Sequence, residues 1–290
     1  MTGGSLPTDR VLVRTLRLAA MTTCSIVGLI LVFLVSESWP AVQRLGPTRF
    51  LTDPGWLPRE GSLDGQFSLV PMAVASGVTT LGAVLLAGPL GILSAVFLCH
   101  FAPRRLAFAH ERLIEVLAGI PSVVFGFWGL VTLVPLVRRI QPPGPSLFAG
   151  ILVLTVMILP TVSVLATATL RQVPRSHLVG AAALGLSRWT TIRGVIWPCA
   201  RRGLGVAVLL GTLRAMGETM AVMMVAGNVA EVPTGLFRPA RTLTANIALE
   251  LGYATEAHRS VLFVSGLVLM VLVLGLVLLQ NRLARPVARA

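Results

Sequence analysis

Residues 147–170 read Leu147-Phe-Ala-Gly-Ile-Leu-Val-Leu-Thr-Val-Met-Ile-Leu-Pro-Thr-Val-Ser-Val-Leu-Ala-Thr-Ala-Thr-Leu170. No charged residue interrupts this stretch, and its polar residues carry only small hydroxyl groups. About twenty apolar residues in a helix cross the roughly 30 Å hydrocarbon core of a bilayer. The stretch therefore predicts a transmembrane helix and indicates a protein that folds in a membrane.

Five further apolar stretches are long enough to cross a bilayer. The chain of 290 residues is 55% hydrophobic and only 12% charged, a composition typical of membrane proteins. The predicted spans are 18–36, 69–99, 113–137, 147–170, 203–227 and 260–280. The fold class that we predict is all-α, a multi-pass membrane helical bundle of six transmembrane helices.

The first apolar stretch follows Arg10, Arg14 and Arg17, as the core of a secretory signal peptide would. It is longer than the usual apolar region of a signal peptide, and no A-x-A cleavage sequence follows it. We expect it to be retained as the first span. The external stretch 37–68 is rich in proline, glycine and tryptophan and predicts an ordered, turn-dominated loop, while 241–250 predicts a short external helix.

The arginines indicate the orientation, because basic loops stay on the cytoplasmic side. With six spans, both termini lie on one side, and that side carries most of the arginines outside the spans. These are Arg10, Arg14, Arg17, Arg104, Arg105, Arg112, Arg171, Arg175, Arg188, Arg193, Arg201, Arg202, Arg282, Arg285 and Arg289. The prediction is a cell inner-membrane protein with cytoplasmic N- and C-termini, in contact with lipid.

Several function classes are disfavoured by what the sequence lacks. No lysine occurs among the 24 basic residues, so the chain contains neither a G-x-x-x-x-G-K-[ST] phosphate loop nor a lysine for a Schiff base. Ser122 or Thr219 could act as a nucleophile only with a histidine partner, and the sequence indicates no such partner. Single cysteines and histidines predict no metal site and no cofactor. The formal charge of +13 is spread among apolar stretches, which argues against a nucleic-acid partner.

The internal stretch between Pro174 and Pro198 alternates basic and apolar residues instead of being uniformly polar. Leu178, Ala182, Gly185 and Leu186 lie at helical spacing. Ser187 can cap a second short helix with Trp189, Ile192 and Ile196 on one side, opposite Arg188 and Arg193. An apolar face in the cytoplasm needs a cover, which predicts a docking surface for another protein. The alternative is an interfacial helix that lies on lipid.

The sequence Ala181-Ala-Ala-Leu-Gly185, with Pro198 thirteen residues after the glycine, resembles the coupling loop of permease subunits in binding-protein-dependent ABC importers. That loop has the pattern E-A-A-x-x-x-G followed by I-x-L-P, and here Val179, Gly180 and Trp197 depart from it. The resemblance implies docking to a separate ATPase mainly by shape and apolar contact. The implied coupling residues are Ala181, Ala182, Gly185, Leu186, Arg188, Trp189 and Pro198.

The fifth predicted span places two charges, Arg214 and Glu218, near the middle of the bilayer. Each costs roughly 2.5 to 3.5 kcal/mol on insertion scales, so the two together cost about 5 to 7 kcal/mol. They are four residues apart and can pair on one helical face, which would be a purely structural ion pair. A guanidinium also suits a tetrahedral oxyanion, and a carboxylate can accept a hydrogen bond from the oxygen that phosphate keeps protonated at neutral pH. If the two charges contact a substrate in this way, the segment lines a path for an anion.

Two stretches resemble the phosphate-specific ABC importer permease of the PstC type: Arg214-Ala-Met-Gly-Glu-Thr-Met-Ala-Val-Met-Met-Val-Ala-Gly-Asn228 and Leu117-Ala-Gly-Ile-Pro-Ser-Val-Val-Phe-Gly-Phe-Trp-Gly129. The resemblance implies a MetI-like type I ABC importer permease core that imports inorganic phosphate and is not itself an enzyme. It implies a path at Arg214, Glu218, Gly217, Thr219, Asn228 and Ser122. A permease for sulfate or molybdate, or the A-type sister phosphate permease, remains an alternative.

The same resemblance implies three partners: a sister permease of the A type, a dimer of ATP-binding subunits, and an extracytoplasmic phosphate-binding protein. It divides the chain into an N-terminal helix and external loop at 1–68, a permease domain at 69–281, and a cytoplasmic tail at 282–290. Gly88, Pro89, Pro121 and Pro160 interrupt the predicted spans and are candidate hinges. Glycine and proline are also common in membrane helices for packing alone.

Overall fold

A computed structural model describes residues 7–59 and 62–284 of the chain. Thirteen α-helices and one hairpin lie within these ranges, with π-helical turns at Gly129–Leu133 and Ile192–Ile196. The elements are α1 (Pro7–Leu45), α2 (Arg49–Thr52), β1 (Trp56–Arg59), β2 (Ser62–Phe67), α3 (Val70–His100), α4 (Arg104–Gly119), α5 (Ser122–Trp128), α6 (Val134–Ile140), α7 (Leu147–Arg171), α8 (Arg175–Ala183), α9 (Arg188–Thr191), α10 (Trp197–Met216), α11 (Met220–Val225), α12 (Leu243–Glu250) and α13 (Glu256–Ala284).

Five helical segments in the described ranges are long and apolar enough to cross a membrane: Val11–Leu45, Val70–His100, Ser122–Ile140, Leu147–Arg171 and Glu256–Leu279. The sixth segment of the bundle is α10, which carries Arg201, Arg202 and Arg214 and is less apolar for that reason. It packs against α3, α7 and α13. The predicted helical membrane bundle is confirmed, and α10 completes the count of six.

Helix α7 is the centre of the bundle. The most apolar 18-residue stretch of α7 is 67% buried within the structure, whereas that of α1 is 0% buried. Close approach to α7 depends on glycines in its neighbours, as is usual where packing between membrane helices lacks a hydrophobic driving force. A Cβ on Gly91 of α3 would lie 2.9 Å from Val162 Cγ1, and one on Gly211 of α10 would lie 2.7 Å from Val162 Cγ2.

The predicted third span, 113–137, is wrong in its position. Leu113 belongs to α4, a charged amphipathic helix that ends at Gly119. Ile120 and Pro121 are extended, with ψ of 129° and 141°, and the spanning segment runs from Ser122 to Ile140. A proline disfavours helical geometry in the residue before it, so the chain breaks there. The candidate hinge at Pro121 therefore coincides with an interruption between two helices.

The other proline positions behave differently. Helix α3 continues through Gly88 and Pro89, and α7 continues through Pro160, so neither is split at these residues. A proline inside a helix removes one backbone hydrogen bond without necessarily ending the helix. Whether these two positions move during function stays a prediction.

The N-terminal region has more regular structure than its composition predicts. Helix α1 continues past the predicted span, through Pro40, to Leu45. The stretch predicted as turns contains α2 and the antiparallel strands β1 and β2, with Trp56 opposite Phe67. Trp56 and Phe67 are buried in a cluster with Phe50, Met72 and Leu243. Side-chain burial by distant elements, which local composition does not reveal, orders this region. Residues of the predicted tail beyond Ala284 lie outside the described ranges.

Candidate functional site

The fifth segment is broken where the two predicted path charges lie. Helix α10 ends at Met216, and α11 begins at Met220. Glu218 lies in the gap, and its Oε1 accepts a hydrogen bond from the Ala221 N–H at 3.1 Å. The carboxylate thereby satisfies a backbone donor in the first turn of α11, a group that has no partner within the helix.

The alternative of a purely structural ion pair between Arg214 and Glu218 on one helix is not formed in the structure. The two residues do not share a helix, since the break at Gly217 separates them, and no salt bridge joins them among the described residues. Arg214 lies in the last turn of α10, where a cation interacts favourably with the helix dipole. Its side chain is exposed, although Thr212 and Ala215 beside it are buried. The cation therefore lies at the edge of the packed bundle.

The helix that begins at Ser122 packs against the helix that follows the break. Ser122 is the first residue of α5, and α5 packs against α11. The approach is close because a Cβ on Gly126 would lie 2.8 Å from Ala221 Cα. The two sequence motifs that resemble the same family, about ninety residues apart in the chain, thus meet in the fold. Thr219 is half-buried at the start of α11, and Gly217 follows the last residue of α10.

Asn228 stabilises the chain reversal after α11. It has a positive φ of 56°, and its Nδ2 donates to the Met223 carbonyl at 2.8 Å. Its N–H donates to the Ala240 carbonyl at 3.1 Å, beside Gly227 with a φ of 87°. Asparagine tolerates this left-handed conformation better than most residues. These contacts give Asn228 a structural role in this turn.

A group of polar side chains surrounds the break. Five hydroxyl side chains lie around a small gap together with Glu218: Ser76, Thr79, Thr80, Thr242 and Thr244. All five are buried. Ser76, Thr79 and Thr80 belong to α3, whereas Thr242 and Thr244 lie at the start of α12. Sequence reasoning missed this group, because isolated serines and threonines in apolar helices carry no recognisable spacing.

Sequence reasoning also missed a buried charge cluster around Glu250, the last residue of α12. Trp56 Nε1 donates to its Oε2 at 2.9 Å, and Arg241 donates to its Oε1 at 2.6 Å. His258 Nε2 lies 2.9 Å from Oε2, and Arg241 also donates to Asn246 Oδ1 at 3.0 Å. Burial raises the pKa of Glu250, but the side-chain hydrogen bonds and the Arg241 charge outweigh it, so the pKa lies below its ordinary value.

This cluster joins the hairpin, α12 and α13. Glu250 is 5% exposed, and Trp56 is equally buried. Because a buried carboxylate is stable only when it is paired and hydrogen-bonded, the contacts fix these elements to one another. The only available signal in the sequence was a glutamate at the end of a short predicted helix. Its tryptophan partner lies 194 residues away in the chain.

The stretch between α7 and α10 forms the predicted first short helix and the predicted cap at Ser187, but the second helix is not short, because α9 continues through the π-helical turn into α10. Gly185 has a φ of 67° after α8, and the Ser187 side chain caps α9 by accepting from the Thr190 N–H at 3.2 Å. The predicted shared apolar face is wrong in part, because Ile192 and Ile196 are buried whereas Trp189 is exposed. Ala182 and Arg188 are exposed as well, Ala181 is buried, and Pro198 lies in the first turn of α10.

Large apolar side chains of this stretch face outward. Val179 is 67% exposed, Leu184 79% and Trp189 64%, and Leu186 is exposed too. An exposed apolar patch on a loop between two spanning segments is typical of a surface that another protein covers. The buried isoleucines join a cluster with Ala166, Leu170 and Leu204, so the patch is attached directly to α7 and α10.

A family model described as "binding-protein-dependent transport system inner membrane component" matches residues 87–289. The chain is 40% identical over 247 residues to the probable ABC transporter permease protein YqgH of Bacillus subtilis, covering 84% of this chain and 79% of the relative. It is 33% identical over 287 residues to the phosphate transport system permease protein PstC of Mesorhizobium japonicum, covering 91% and 86% of the two chains. The PstC protein of Haemophilus influenzae is also 33% identical, over 93% and 90%.

Solved structures share the fold at low sequence identity. A bacterial alginate ABC transporter, in complex with an alginate pentasaccharide-bound periplasmic protein, contains a chain with a TM-score of 0.64 and 17% identity, covering 95% of this chain and 96% of that one. An inward-facing MetNI methionine ABC transporter contains one with a TM-score of 0.57 and 21% identity, covering 76% and 94%. At these identities the likeness concerns the fold alone.

Proposed function

Because the chain belongs to the family of binding-protein-dependent transport system inner-membrane components, as the sequence motifs predicted, we propose that it is the permease subunit through which an ABC importer moves inorganic phosphate across the membrane. It is a transport component of the membrane and not an enzyme. The relatives named PstC, aligned over more than nine-tenths of this chain, support phosphate as the substrate.

The observation that carries the proposal is the break at 217–219, with a cation before it and a carboxylate within it. Arg214 is exposed at the edge of the bundle and has no ion-pair partner among the described residues. A charge in a membrane segment that is neither paired nor buried marks a substrate path more often than a structural site. The five donors of a guanidinium match the oxygens of a tetrahedral oxyanion.

Glu218 gives the proposed path a basis for selectivity. A carboxylate repels a fully deprotonated dianion, but it accepts a hydrogen bond from an anion that still carries a proton. Phosphate carries such a proton at neutral pH, and sulfate does not. With Oε1 already bonded to the Ala221 N–H, Oε2 is the oxygen available to the substrate. In this proposal Gly217, Thr219 and Ser122 line the same stretch of the path. Asn228 stabilises the turn that follows α11.

The partners belong to the same proposal. The apolar patch around Val179, Leu184 and Trp189 suits the surface of an ATP-binding subunit, two of which would act on this chain and a sister permease of the A type. A phosphate-binding protein would deliver substrate at the opposite face, and the alginate transporter with its periplasmic protein shows one such arrangement on this fold. The arginine distribution supports a cytoplasmic position for the patch and for both termini. The proposed permease domain covers 69–281, between an N-terminal helix and external loop at 1–68 and a cytoplasmic tail at 282–290.

Phosphate uptake by Arg214→Gln tests the function. The complete transporter is expressed in cells that lack other phosphate importers, and the initial rate of radiolabelled phosphate uptake is divided by the amount of this chain in the membrane. We expect the substitution to lower uptake by about tenfold or more, the usual effect of removing a charged hydrogen-bonding partner.

Arg139→Gln is the matched control, since Arg139 is exposed at the end of α6 and should leave uptake unchanged. Excess sulfate or molybdate is added in parallel. If either anion displaces phosphate and is itself carried, the chain is a permease for another tetrahedral oxyanion. Equal uptake by the two arginine variants would contradict a path along Arg214.

A further inference from the structure

Thr244, in the first turn of α12, is hydrogen-bonded to the break in the fifth segment. Its Oγ1 donates to the Glu218 backbone carbonyl at 3.0 Å, and the residue is 8% exposed. Glu218 lies outside both α10 and α11, where its carbonyl needs a partner from elsewhere in the fold. A side chain 26 positions further along the chain supplies that partner.

The start of α12 is itself held in place. Thr242 caps the helix by accepting from the Ala245 N–H at 3.3 Å, and its Oγ1 lies 3.2 Å from Thr244 Oγ1. The Leu243 N–H donates to Ser76 Oγ of α3 at 2.9 Å. Since α3 packs along the central helix α7, Thr244 is anchored to the rigid part of the bundle.

Three hydrogen bonds therefore orient one residue. The Glu218 N–H donates to the Ala215 carbonyl at 3.2 Å, its carbonyl accepts from Thr244, and its Oε1 accepts from the Ala221 N–H. The first fixes Glu218 to α10, the second to α12 and the third to α11. Without the Thr244 hydroxyl, the peptide between Glu218 and Thr219 loses its lateral anchor, and the bonds to Ala215 and Ala221 alone orient the carboxylate less firmly.

We propose that Thr244 is a positioning residue of the translocation path, whose hydroxyl aims the Glu218 carboxylate at the passing anion. The inference rests on the proposed function, because it takes Glu218 as a residue that meets the substrate. It assigns a specific task to α12: this short helix outside the spanning segments holds the break in the shape that transport uses. Thr244 acts through Glu218 and does not itself contact the substrate.

A double-mutant cycle on phosphate uptake tests the inference. Thr244→Val removes the hydroxyl at nearly constant volume and should lower uptake, normalised to membrane abundance, by about fivefold. Thr244→Ser, which keeps the hydroxyl, should restore most of the rate. We expect a Glu218→Gln background to retain slow, measurable uptake, and Thr244→Val should have almost no further effect there, because residues that act through one another are not additive.

Thr155→Val is the matched control. Thr155 is a buried threonine of α7 whose hydroxyl likewise donates to a backbone carbonyl, that of Ile151 at 2.7 Å. Any loss that it causes should be the same with glutamate or glutamine at 218. If Thr244→Val lowered uptake by the same factor in both backgrounds, or left it unchanged with Glu218 present, the positioning role would be overturned.

The two proposals fail in different ways. Should the wild-type complex carry another tetrahedral oxyanion in place of phosphate, the proposed substrate is wrong, and the same cycle measured with that anion still decides the role of Thr244. Should it carry phosphate while the cycle is additive, the function stands and the positioning role is lost.

Discussion

At the scale of single residues, the protein has two kinds of charge in or near its membrane part. Arg214 is exposed and unpaired among the described residues, whereas Glu250 is 5% exposed and surrounded by Trp56, Arg241 and His258. A buried ion pair is maintained by its own contacts, so it is expected to matter for stability. An exposed charge at the edge of a bundle contributes little to stability, so it is expected to matter for function.

Glu250→Gln should destabilise the folded protein. Removing the charge leaves Arg241, whose side chain is 18% exposed, without its carboxylate partner. We expect a loss of about 3 kcal/mol in the free energy of unfolding, the usual effect of breaking a buried pair. The measurement is the Tm of the purified protein in detergent, beside the exposed control Glu231→Gln. Equal Tm values for the two variants would contradict the prediction.

The stabilising effect of Glu250 should depend on pH, which a comparison of the wild type with Glu250→Gln can measure. The pKa of Glu250 is lower in the folded protein than its ordinary value of 4.5, so its stabilising contribution is complete above that value. It decreases as the pH falls below 4.5 toward the folded pKa. The Tm difference between wild type and Glu250→Gln should therefore be constant at neutral pH and shrink in acid. A difference that grew on acidification would mean that the pKa is raised.

At the scale of secondary-structure elements, interruptions and close contacts matter more than helix length. The breaks at Pro121 and at Gly217 lie in segments that pack against each other through α5 and α11. The helices α3 and α7, in contrast, are long, continuous and closely packed. The irregular backbone thus lies beside a continuous scaffold, which is where non-helical backbone is tolerated at membrane depth.

Two glycines of α3 test the role of close helix packing. Gly91→Ala places a Cβ 2.9 Å from Val162 and 3.2 Å from the Ser163 backbone nitrogen, so we expect a loss of about 1 to 3 kcal/mol through overpacking. Gly77→Ala is the control in the same helix, since nothing lies within 4 Å of the added Cβ. It should be neutral or slightly stabilising, because alanine favours helix. Thermal unfolding in detergent compares the two, and an equally stable Gly91→Ala protein would show that α3 and α7 can separate without cost.

At the scale of the whole molecule, the described part has an apolar patch on the loop between α7 and α10 and a second tertiary cluster at the hairpin. The patch is joined to α7 and α10 through Ile192 and Ile196. The hairpin is joined to α12 and α13 through Glu250. Helix α10 leads from the patch to the break, and α12 leads from the hairpin to the same break, so both surfaces are connected to Glu218 through packed elements.

Trp189→Ser tests the patch as a docking surface. Trp189 is 64% exposed, and its side chain makes no hydrogen bond or ring contact with the residues that the structure describes. The fold should therefore remain intact while the amount of ATP-binding subunit that co-purifies falls by about tenfold or more. Trp39→Ser is the matched control, an exposed tryptophan of α1 at 54%. If both variants retain the ATP-binding subunit equally, the patch instead lies on lipid, the alternative considered for this loop.

The sequence alone determined the class of the protein, the family and most of the spans, because uncharged stretches of spanning length and the Arg214–Asn228 motif are local signals. It also located the cap at Ser187 and a short helix within 241–250, which the structure has at Leu243–Glu250, since caps and short apolar periods extend over only a few residues. Only the tertiary structure decided that Arg214 and Glu218 are separated by a break, that Thr244 holds that break, and that Trp56 meets Glu250. Some of these features are contacts between residues that are far apart in the chain, and the others depend on where a helix ends. Tertiary packing determines both the long-range contacts and the helix ends.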